Sequence, residues 1–330
     1  MRLNAGAALP SRRGQVQPQA ACHGRSSRII RAASGLAASP TQSASRGVLI
    51  LPGLGNNAAD YAPLAAQLEA CGMAVEVAQV TRPDWSRNAA ALTDPNWWRG
   101  TLKPRPAVDW YLTRVDAAMQ RLKRRVEKAE APIALLTHSA GGWLGRVYLL
   151  DWGTAGVDRF VSLGSPHLPP PRGAPVVDQT RGILSACSDM CPGAYHSSIQ
   201  YVTICGKFVR GAPLTGPAKE LEFPDGAGGN RASLLAKFAG VGYQQVCGDA
   251  EVWGDFIVPQ PSAHLEGATQ VDLERVFHSP LGEQLPFFGP WYGSPEVLEL
   301  WLHHLTGQPG PGDAVAVTNA VQESVEQVSN

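Results

Sequence analysis

Ser139 lies in the segment THSAGG, between an apolar run typical of a strand and a periodic run typical of a helix. The spacing nearly matches G-x-S-x-G, a pattern in which a serine occupies a sharp strand-to-helix bend. Such a bend costs about 1 to 3 kcal/mol for a residue with a Cβ atom. The small residues Ala140, Gly141 and Gly142 let the helix come close enough to hold it. The bend would raise the Ser139 hydroxyl above the sheet, where it can act as a nucleophile.

Two features of this bend leave room for other interpretations. A glycine-rich turn that only packs or binds phosphate is the alternative to a nucleophile, but the spacing fits neither common phosphate-binding pattern. Thr137 also stands where the pattern has its first glycine. Its β-branched side chain is expected to crowd the bend.

A serine nucleophile needs a base that takes its proton and an acid that orients the base. In elbows of this kind the chain order is serine, acid, histidine. His278, in RVFHSP, follows an apolar run that suits the last core strand and is preferred as the base, with His264 as the alternative. Asp255, in WGDFIVP, is preferred as the acid over Asp249, and an ordinary surface carboxylate remains possible for both.

Backbone N–H groups must also stabilise the oxyanion that forms during attack. The N–H of Ala140, directly after the serine, is one expected donor. The second is expected at Leu54 in LPGLGNN, where Gly53 and Gly55 allow a tight turn after a buried strand. A simple glycine turn is the alternative for this loop.

Short apolar runs alternate with helical periodicity from Gly47 onward, which indicates βαβ units. The predicted fold class is α/β, with a mainly parallel, doubly wound sheet. Strands are predicted in GVLILPG, MAVEVAQV, PIALLTH, RFVSLGSPH, IQYVTICG and VDLERVF. Helices are predicted in NAADYAPLAAQLEACG, VDWYLTRVDAAMQRLKRRV and SPEVLELWLHHL, the last with Ser294 as its N-cap.

The predicted organisation is one domain at 47–307, with cap-like excursions over the active site at about 81–106 and 166–231. The first excursion is rich in Pro and Trp and the second in Pro and Gly, although plain surface loops are an equal alternative for each. A disordered tail is expected at 308–330.

The segment 1–46 differs in composition from the rest of the chain. It contains seven arginines and many serines and alanines, but no Asp, Glu or Lys. It also lacks the apolar core of a secretory signal, so it is predicted to be an organelle transit peptide, with a disordered basic tail as the alternative. Without these seven arginines, 21 of the 28 basic residues remain against 28 acidic ones, a net charge of minus seven. This balance argues against nucleic acid as a partner.

The rest of the composition indicates no cofactor. The 330 residues are 44% hydrophobic and 17% charged, enough for a sizeable core. No apolar run is long enough to span a bilayer, so any membrane contact is expected to be peripheral. Six scattered cysteines do not form a disulfide framework. Cys187, Cys191 and His196 make a weak metal signature without an evident fourth ligand, so neither metal nor cofactor is expected.

LPGLGNN, THSAGGW, LGSPH and GDFIVP…VFHSP occur in the order in which the α/β-hydrolase superfamily has its corresponding segments. The chain resembles the lipase-like members of that superfamily over 47 to about 306. The strings RPDW, WWRGTLKPRPAVDWYL, SAHLEGA and WYGSP resemble a group of plant, algal and cyanobacterial hydrolases. The resemblance implies an α/β-hydrolase fold and a serine hydrolase of a plastid, with Ser139, Asp255 and His278 at the triad positions.

The resulting hypothesis is a plastid hydrolase of carboxylic esters that works through an acyl-enzyme. Its expected substrate is a lipid or another hydrophobic acyl ester. Trp85, Trp97, Trp98 and the pair Trp291–Tyr292 would line an acyl pocket, contact a membrane or, for most of them, pack in the core. The alternatives are a catalytically silent α/β-hydrolase that binds a ligand or partner, and an acyltransferase that uses an alcohol in place of water.

Overall fold

A six-stranded parallel sheet carries the strands predicted from the sequence. The computed structural model describes residues 45–215, 230–281 and 288–307. The sheet has the order β2-β1-β3-β4-β5-β8, and every neighbouring pair is parallel. Its strands are β1 Gly47–Leu51, β2 Ala74–Val77, β3 Ile133–His138, β4 Val157–Leu163, β5 Gln200–Lys207 and β8 Thr269–Glu274. The predicted α/β class with a mainly parallel sheet is confirmed.

Helices cover both faces of this sheet, as the unbroken apolar strands require. The helices among the described residues are α1 Ala62–Ala70, α2 Pro95–Arg99, α3 Pro104–Ala107, α4 Asp109–Val126, α5 Gly141–Trp152, α6 Ile183–Met190, α7 Asn230–Cys247, α8 Gln260–Ala263 and α9 Pro295–Thr306. One buried cluster joins α4 and α5 to the sheet, and a second joins α1 and α9 to the sheet. The apolar stripe predicted along α4 is buried, including Leu112, Val115, Met119 and Leu122.

The predicted first excursion is a set of short helices between β2 and α4. It consists of a 3-10 stretch at Arg82–Thr93 followed by α2 and α3. Trp85 Nε1 donates a hydrogen bond to the carbonyl oxygen of Asn56 at 3.0 Å. The side-chain oxygen of Asn57 accepts from the backbone N–H of Arg82 at 2.7 Å. The excursion therefore supports the loop that follows β1.

The predicted second excursion, 166–231, is interrupted by the sheet. Strand β5 lies inside that range, so the chain returns to the sheet between α6 and the later part of the range. Beyond β5, β6 Val209–Arg210 pairs antiparallel with β7 Trp253–Gly254, and α7 connects the two. Residues 216–229 lie outside the described part of the chain. The pair of β6 and β7 matters for the site because Asp255 directly follows β7.

The segment predicted as a transit peptide lies outside the described residues except for Ser45 and Arg46. Ser45 donates its N–H to the carbonyl oxygen of Gly72 at 3.1 Å. The Arg46 side chain is buried and donates to both carboxylate oxygens of Asp158, with Nη2 2.9 Å from Oδ2. The last residue of the predicted segment is thus anchored to the folded domain.

Arg46→Ala is expected to lower the free energy of unfolding by about 1 kcal/mol, a modest value because Asp158 is 38% exposed and water screens the pair. Urea denaturation of the full chain measures this. Arg172→Ala is the matched control and should leave the free energy of unfolding unchanged, because Arg172 faces Asp189 at 3.8 Å with its side chain 95% exposed. Equal stability of Arg46→Ala and the unsubstituted chain would show that the anchor contributes nothing.

Candidate active site

Ser139 occupies the sharp bend between β3 and α5. Its φ angle is +52°, in the left-handed region that residues with a Cβ atom rarely adopt. Two hydrogen bonds hold this conformation: the Ser139 N–H donates to the Leu163 carbonyl at 3.0 Å, and the Gly142 N–H donates to the Ser139 carbonyl at 3.0 Å. The serine therefore stands at the carboxyl edge of the sheet in a conformation that the neighbouring strand maintains.

The glycines around the bend allow the backbone to approach more closely than any side chain would. A Cβ atom on Gly141 would lie 2.4 Å from the carbonyl oxygen of Leu51, and one on Gly142 would lie 2.4 Å from Ser165 Cβ. On the opposite side, a Cβ atom on Gly53 would lie 2.6 Å from Ser139 Cβ. The loop after β1 is thus in direct contact with the serine.

Thr137 is accommodated in spite of its β-branched side chain. It is completely buried within β3, and its Oγ1 donates to the Val161 carbonyl at 3.4 Å. Its Cγ2 faces Gly145 of α5, where an added Cβ atom would lie 3.2 Å away. The expected crowding is relieved because the helix has no side chain at that position.

Asp255 and His278 are hydrogen-bonded to each other. His278 Nδ1 lies 2.7 Å from Asp255 Oδ2, and the His278 N–H donates to the Asp255 carbonyl at 3.0 Å. Asp255 is completely buried, and its Oδ1 accepts from the N–H groups of Ile257 at 3.0 Å and Val258 at 2.7 Å. The carboxylate fixes the imidazole with Nδ1 as a donor, which leaves Nε2 as an acceptor.

Tyr292 also binds the Asp255 carboxylate, a contact that no sequence pattern indicates. Its hydroxyl donates to Asp255 Oδ2 at 2.8 Å and accepts from the Gly206 N–H at 2.7 Å. Burial, followed by the Asp255 charge, raises the pKa of Tyr292 well above its ordinary value, so the hydroxyl keeps its proton and donates. Both Tyr292 and Trp291 are buried, so this pair packs in the core.

His264 and Asp249, the alternatives for base and acid, lie in other environments. His264 joins two strands, with Nδ1 2.9 Å from Thr203 Oγ1 and Nε2 3.1 Å from Asp272 Oδ1. Asp249 accepts from the Glu251 N–H at 2.8 Å in an exposed turn. The structure therefore brings Asp255 to His278. His264 has a carboxylate partner in Asp272, but Thr203 occupies its other ring nitrogen, and no hydrogen bond joins Asp249 to a histidine among the described residues.

His138, directly before the serine, connects the elbow to His278. The His138 and His278 rings lie 4.8 Å apart between centroids, and His138 Nε2 is 2.8 Å from the His278 carbonyl oxygen. The hydrogen bonds formed by the described residues do not include one between Ser139 Oγ and His278. Such bonds are often long in the absence of substrate and tighten when it binds.

The two expected oxyanion donors belong to the residues that follow Gly53 and Ser139. Neither the Leu54 N–H nor the Ala140 N–H donates to an acceptor within the described part of the chain. Leu54 follows Gly53, on which an added Cβ atom would lie 2.6 Å from Ser139 Cβ, and Ala140 follows the serine itself. The assignment of these two N–H groups as oxyanion donors stays a prediction.

The fold is identified by the strands that Ser139, Asp255 and His278 follow. Ser139 follows β3, Asp255 follows β7, which comes after β5 in the chain, and His278 follows β8. The chain has the α/β-hydrolase fold. No family model and no curated protein matches the chain.

Three solved structures are similar to the chain at low identity. A mature lipase of Bacillus licheniformis has a TM-score of 0.43 and 14% identity, over 74% of this chain and 90% of that one. A poly(3-hydroxybutyrate) depolymerase of Bordetella parapertussis has a TM-score of 0.41 and 12% identity, over 74% and 79% of the two chains. A dienelactone hydrolase of Anabaena variabilis has a TM-score of 0.35 and 13% identity, over 72% and 78%. At these TM-scores the function must be argued from the site itself.

The remaining expectations concern metals, thiols and membranes. Within 45–215, 230–281 and 288–307, no cluster of three or more His, Cys, Asp or Glu side chains suits a metal ion. Cys187 and Cys191 are buried with their sulfur atoms 3.7 Å apart, and both are free thiols. No helix in the same ranges has the length and hydropathy to cross a bilayer.

Proposed function

We propose that this protein is a serine hydrolase that cleaves carboxylic esters of hydrophobic acyl groups. The hydrogen bond between buried Asp255 and His278, formed beside the strained Ser139, carries this proposal. A buried carboxylate that orients an imidazole next to a nucleophile elbow is the arrangement that serine hydrolysis requires.

The proposed reaction begins with attack of Ser139 Oγ on the ester carbonyl carbon, while His278 Nε2 takes the hydroxyl proton. The carbonyl oxygen becomes an oxyanion and accepts hydrogen bonds from the N–H groups of Leu54 and Ala140. Each such donor contributes about 100- to 1000-fold in rate. The ester C–O bond then breaks, and the leaving oxygen takes the proton from His278 and departs as an alcohol. Water repeats these steps on the acyl-enzyme and releases the acid.

Apolar side chains beside the proposed site support a hydrophobic acyl group. Leu54 is 60% exposed in the oxyanion loop, Ile257 is 48% exposed two residues after Asp255, and Leu281 is 41% exposed three residues after His278. Their positions in the sequence place these three side chains near the proposed site, and large exposed apolar side chains suit contact with an apolar partner. An acyl chain bound there would remove them from water.

Reaction of the full chain with a fluorophosphonate tests the proposal, since the reagent phosphonylates only an activated serine. We expect labelling at Ser139 by peptide mass spectrometry and turnover of p-nitrophenyl esters that favours longer acyl chains. Labelling with release of acyl product only when an alcohol is added would favour acyl transfer. Absence of labelling in folded protein would favour the catalytically silent binding protein.

We also propose that 1–46 directs the protein to a plastid, where its contact with membranes would be peripheral. The arginine-rich composition without acidic residues supports this. A fluorescent protein fused to 1–46 should enter plastids of plant cells. A cytosolic or mitochondrial signal would contradict the proposed location.

A further inference from the structure

A buried chain of three hydrogen bonds runs from the loop after β1 to the backbone of His278. The Gly53 N–H lies 2.9 Å from the Tyr61 hydroxyl oxygen, and that oxygen lies 2.7 Å from His138 Nδ1. His138 Nε2 lies 2.8 Å from the carbonyl oxygen of His278. Tyr61 and His138 are at most 1% exposed, so water does not compete for these bonds.

The chemistry of the two ends fixes the direction of every bond. The His278 carbonyl only accepts, so His138 Nε2 must carry a hydrogen and donate it. His138 Nδ1 is then the acceptor of the neutral ring, and the Tyr61 O–H donates to it. The Tyr61 oxygen in turn accepts from the Gly53 N–H. Burial, followed by the nearby His278, lowers the pKa of His138 well below its ordinary value, which keeps this ring neutral.

The chain contacts each of the three parts of the proposed active site. Gly53 immediately precedes Leu54, the proposed oxyanion donor, and its backbone lies against Ser139. His138 is the neighbour of the nucleophile along β3. The last acceptor belongs to the backbone of the proposed base itself.

Tyr61 and His138 are polar side chains in a buried position that apolar side chains could also fill. A buried polar group without a partner destabilises the fold, whereas apolar side chains of similar shape would not. Here every hydrogen bond of the chain is made. Trp291 packs against it, with its ring centroid 6.1 Å from that of Tyr61 and 5.8 Å from that of His138. Packing alone fills the space, but directional bonds also fix the distance between the loops that they join.

We propose that Tyr61 and His138 are positioning residues that hold the oxyanion loop and the base in register with Ser139. This inference rests on the proposed serine hydrolase function. Neither residue touches the substrate. Tyr61 orients the backbone that carries the Leu54 N–H, and His138 holds the backbone of His278 over the elbow.

Tyr61→Phe is the first test, because it removes one oxygen atom and keeps the ring. It leaves the Gly53 N–H and His138 Nδ1 without their partner. We expect kcat and the rate of phosphonylation to fall about tenfold to a hundredfold, with KM within about threefold, because the chain acts on the chemical step. Tyr148→Phe is the control: Tyr148 is also buried, but its hydroxyl faces Asp116 at 3.3 Å, outside the site.

Two substitutions of His138 separate positioning from packing. A glutamine amide takes the place of imidazole Nε2 and can still donate to the His278 carbonyl, whereas the shorter asparagine amide takes the place of Nδ1 and cannot. His138→Gln should therefore retain several-fold more kcat than His138→Asn. A role in stability alone would lower the melting temperature of both variants without separating their kcat values.

The outcomes distinguish this inference from the proposed function. If the unsubstituted protein is not phosphonylated, the hydrolase proposal fails and the inference fails with it. If it is phosphonylated and Tyr61→Phe reacts as fast as Tyr148→Phe, only the positioning role is overturned. Nitrogen-15 NMR of the unsubstituted protein gives a check that needs no folded variant: His138 should show a protonated Nε2 and a bare Nδ1. A protonated Nδ1 with a bare Nε2 would contradict the proposed chain of hydrogen bonds.

Discussion

Ser139→Ala is expected to lower kcat for p-nitrophenyl esters by about 10⁴- to 10⁶-fold and to abolish fluorophosphonate labelling. The substitution removes the only atom that forms the acyl-enzyme, so neither the base nor the oxyanion donors can replace it. It should not unfold the protein, since alanine keeps the Cβ atom and the Ser139 N–H still donates to Leu163. Steady-state kinetics and intact-mass spectrometry measure the two effects.

Ser165 provides a matched control for this substitution. It is a buried serine beside Gly142, and its hydroxyl has no hydrogen-bond partner among the described residues. Ser165→Ala should keep kcat within about threefold of the unsubstituted protein, because the Ser165 hydroxyl makes no hydrogen bond to Asp255 or His278. Labelling that persists in Ser139→Ala but disappears in Ser165→Ala would identify Ser165 as the nucleophile and contradict the proposed reaction.

The six strands of the main sheet and the helices α1, α4 and α9 could be predicted because each has a local pattern. The buried strands β1 and β3 are unbroken apolar runs, and α4 has a single apolar stripe. The helix α7 was not predicted. Its interior includes Gly240 and Gly242, and it exposes Phe238, so neither helix propensity nor amphipathic periodicity marks it.

The proposed site residues could be chosen from the sequence because a strained elbow leaves a spacing signature. Small residues must surround Ser139 whatever the rest of the chain does, and Asp255 and His278 then follow from chain order and flanking strands. Their mutual distance could not be predicted, because it depends on the turn after β7 and on the loop after β8.

Tyr61, His138 and Tyr292 had no such signature. Tyr61 and Tyr292 are 231 residues apart in sequence, yet both place a hydroxyl within the same buried region of the sheet edge. A buried tyrosine in a sequence usually indicates core packing. Only the positions of the atoms show that these two hydroxyls bind Gly53, in the loop after β1, and Asp255.

Substitution of His278 is expected to abolish activity, whereas substitution of His264 is not. Without an imidazole beside it the Ser139 hydroxyl keeps its proton, so His278→Ala should lower kcat by about the same 10⁴- to 10⁶-fold as Ser139→Ala. The double variant should be no slower than either single one, because the two residues act as a unit.

His264→Ala should stay within about tenfold of the unsubstituted kcat, or 1.4 kcal/mol in barrier, since His264 contacts Thr203 and Asp272 and neither partner belongs to the site. The His278→Ala result needs a check on folding, because it leaves the buried Asp255 carboxylate short of one donor, at a cost of about 1 to 3 kcal/mol. His278→Asn addresses this, since its amide takes the place of Nδ1 and can donate to Asp255 but cannot serve as a base near neutral pH. If His278→Asn is folded and inactive, the loss is chemical. If His264→Ala is inactive while His278→Asn remains active, the base is His264, and the contact between His278 and Asp255 is structural.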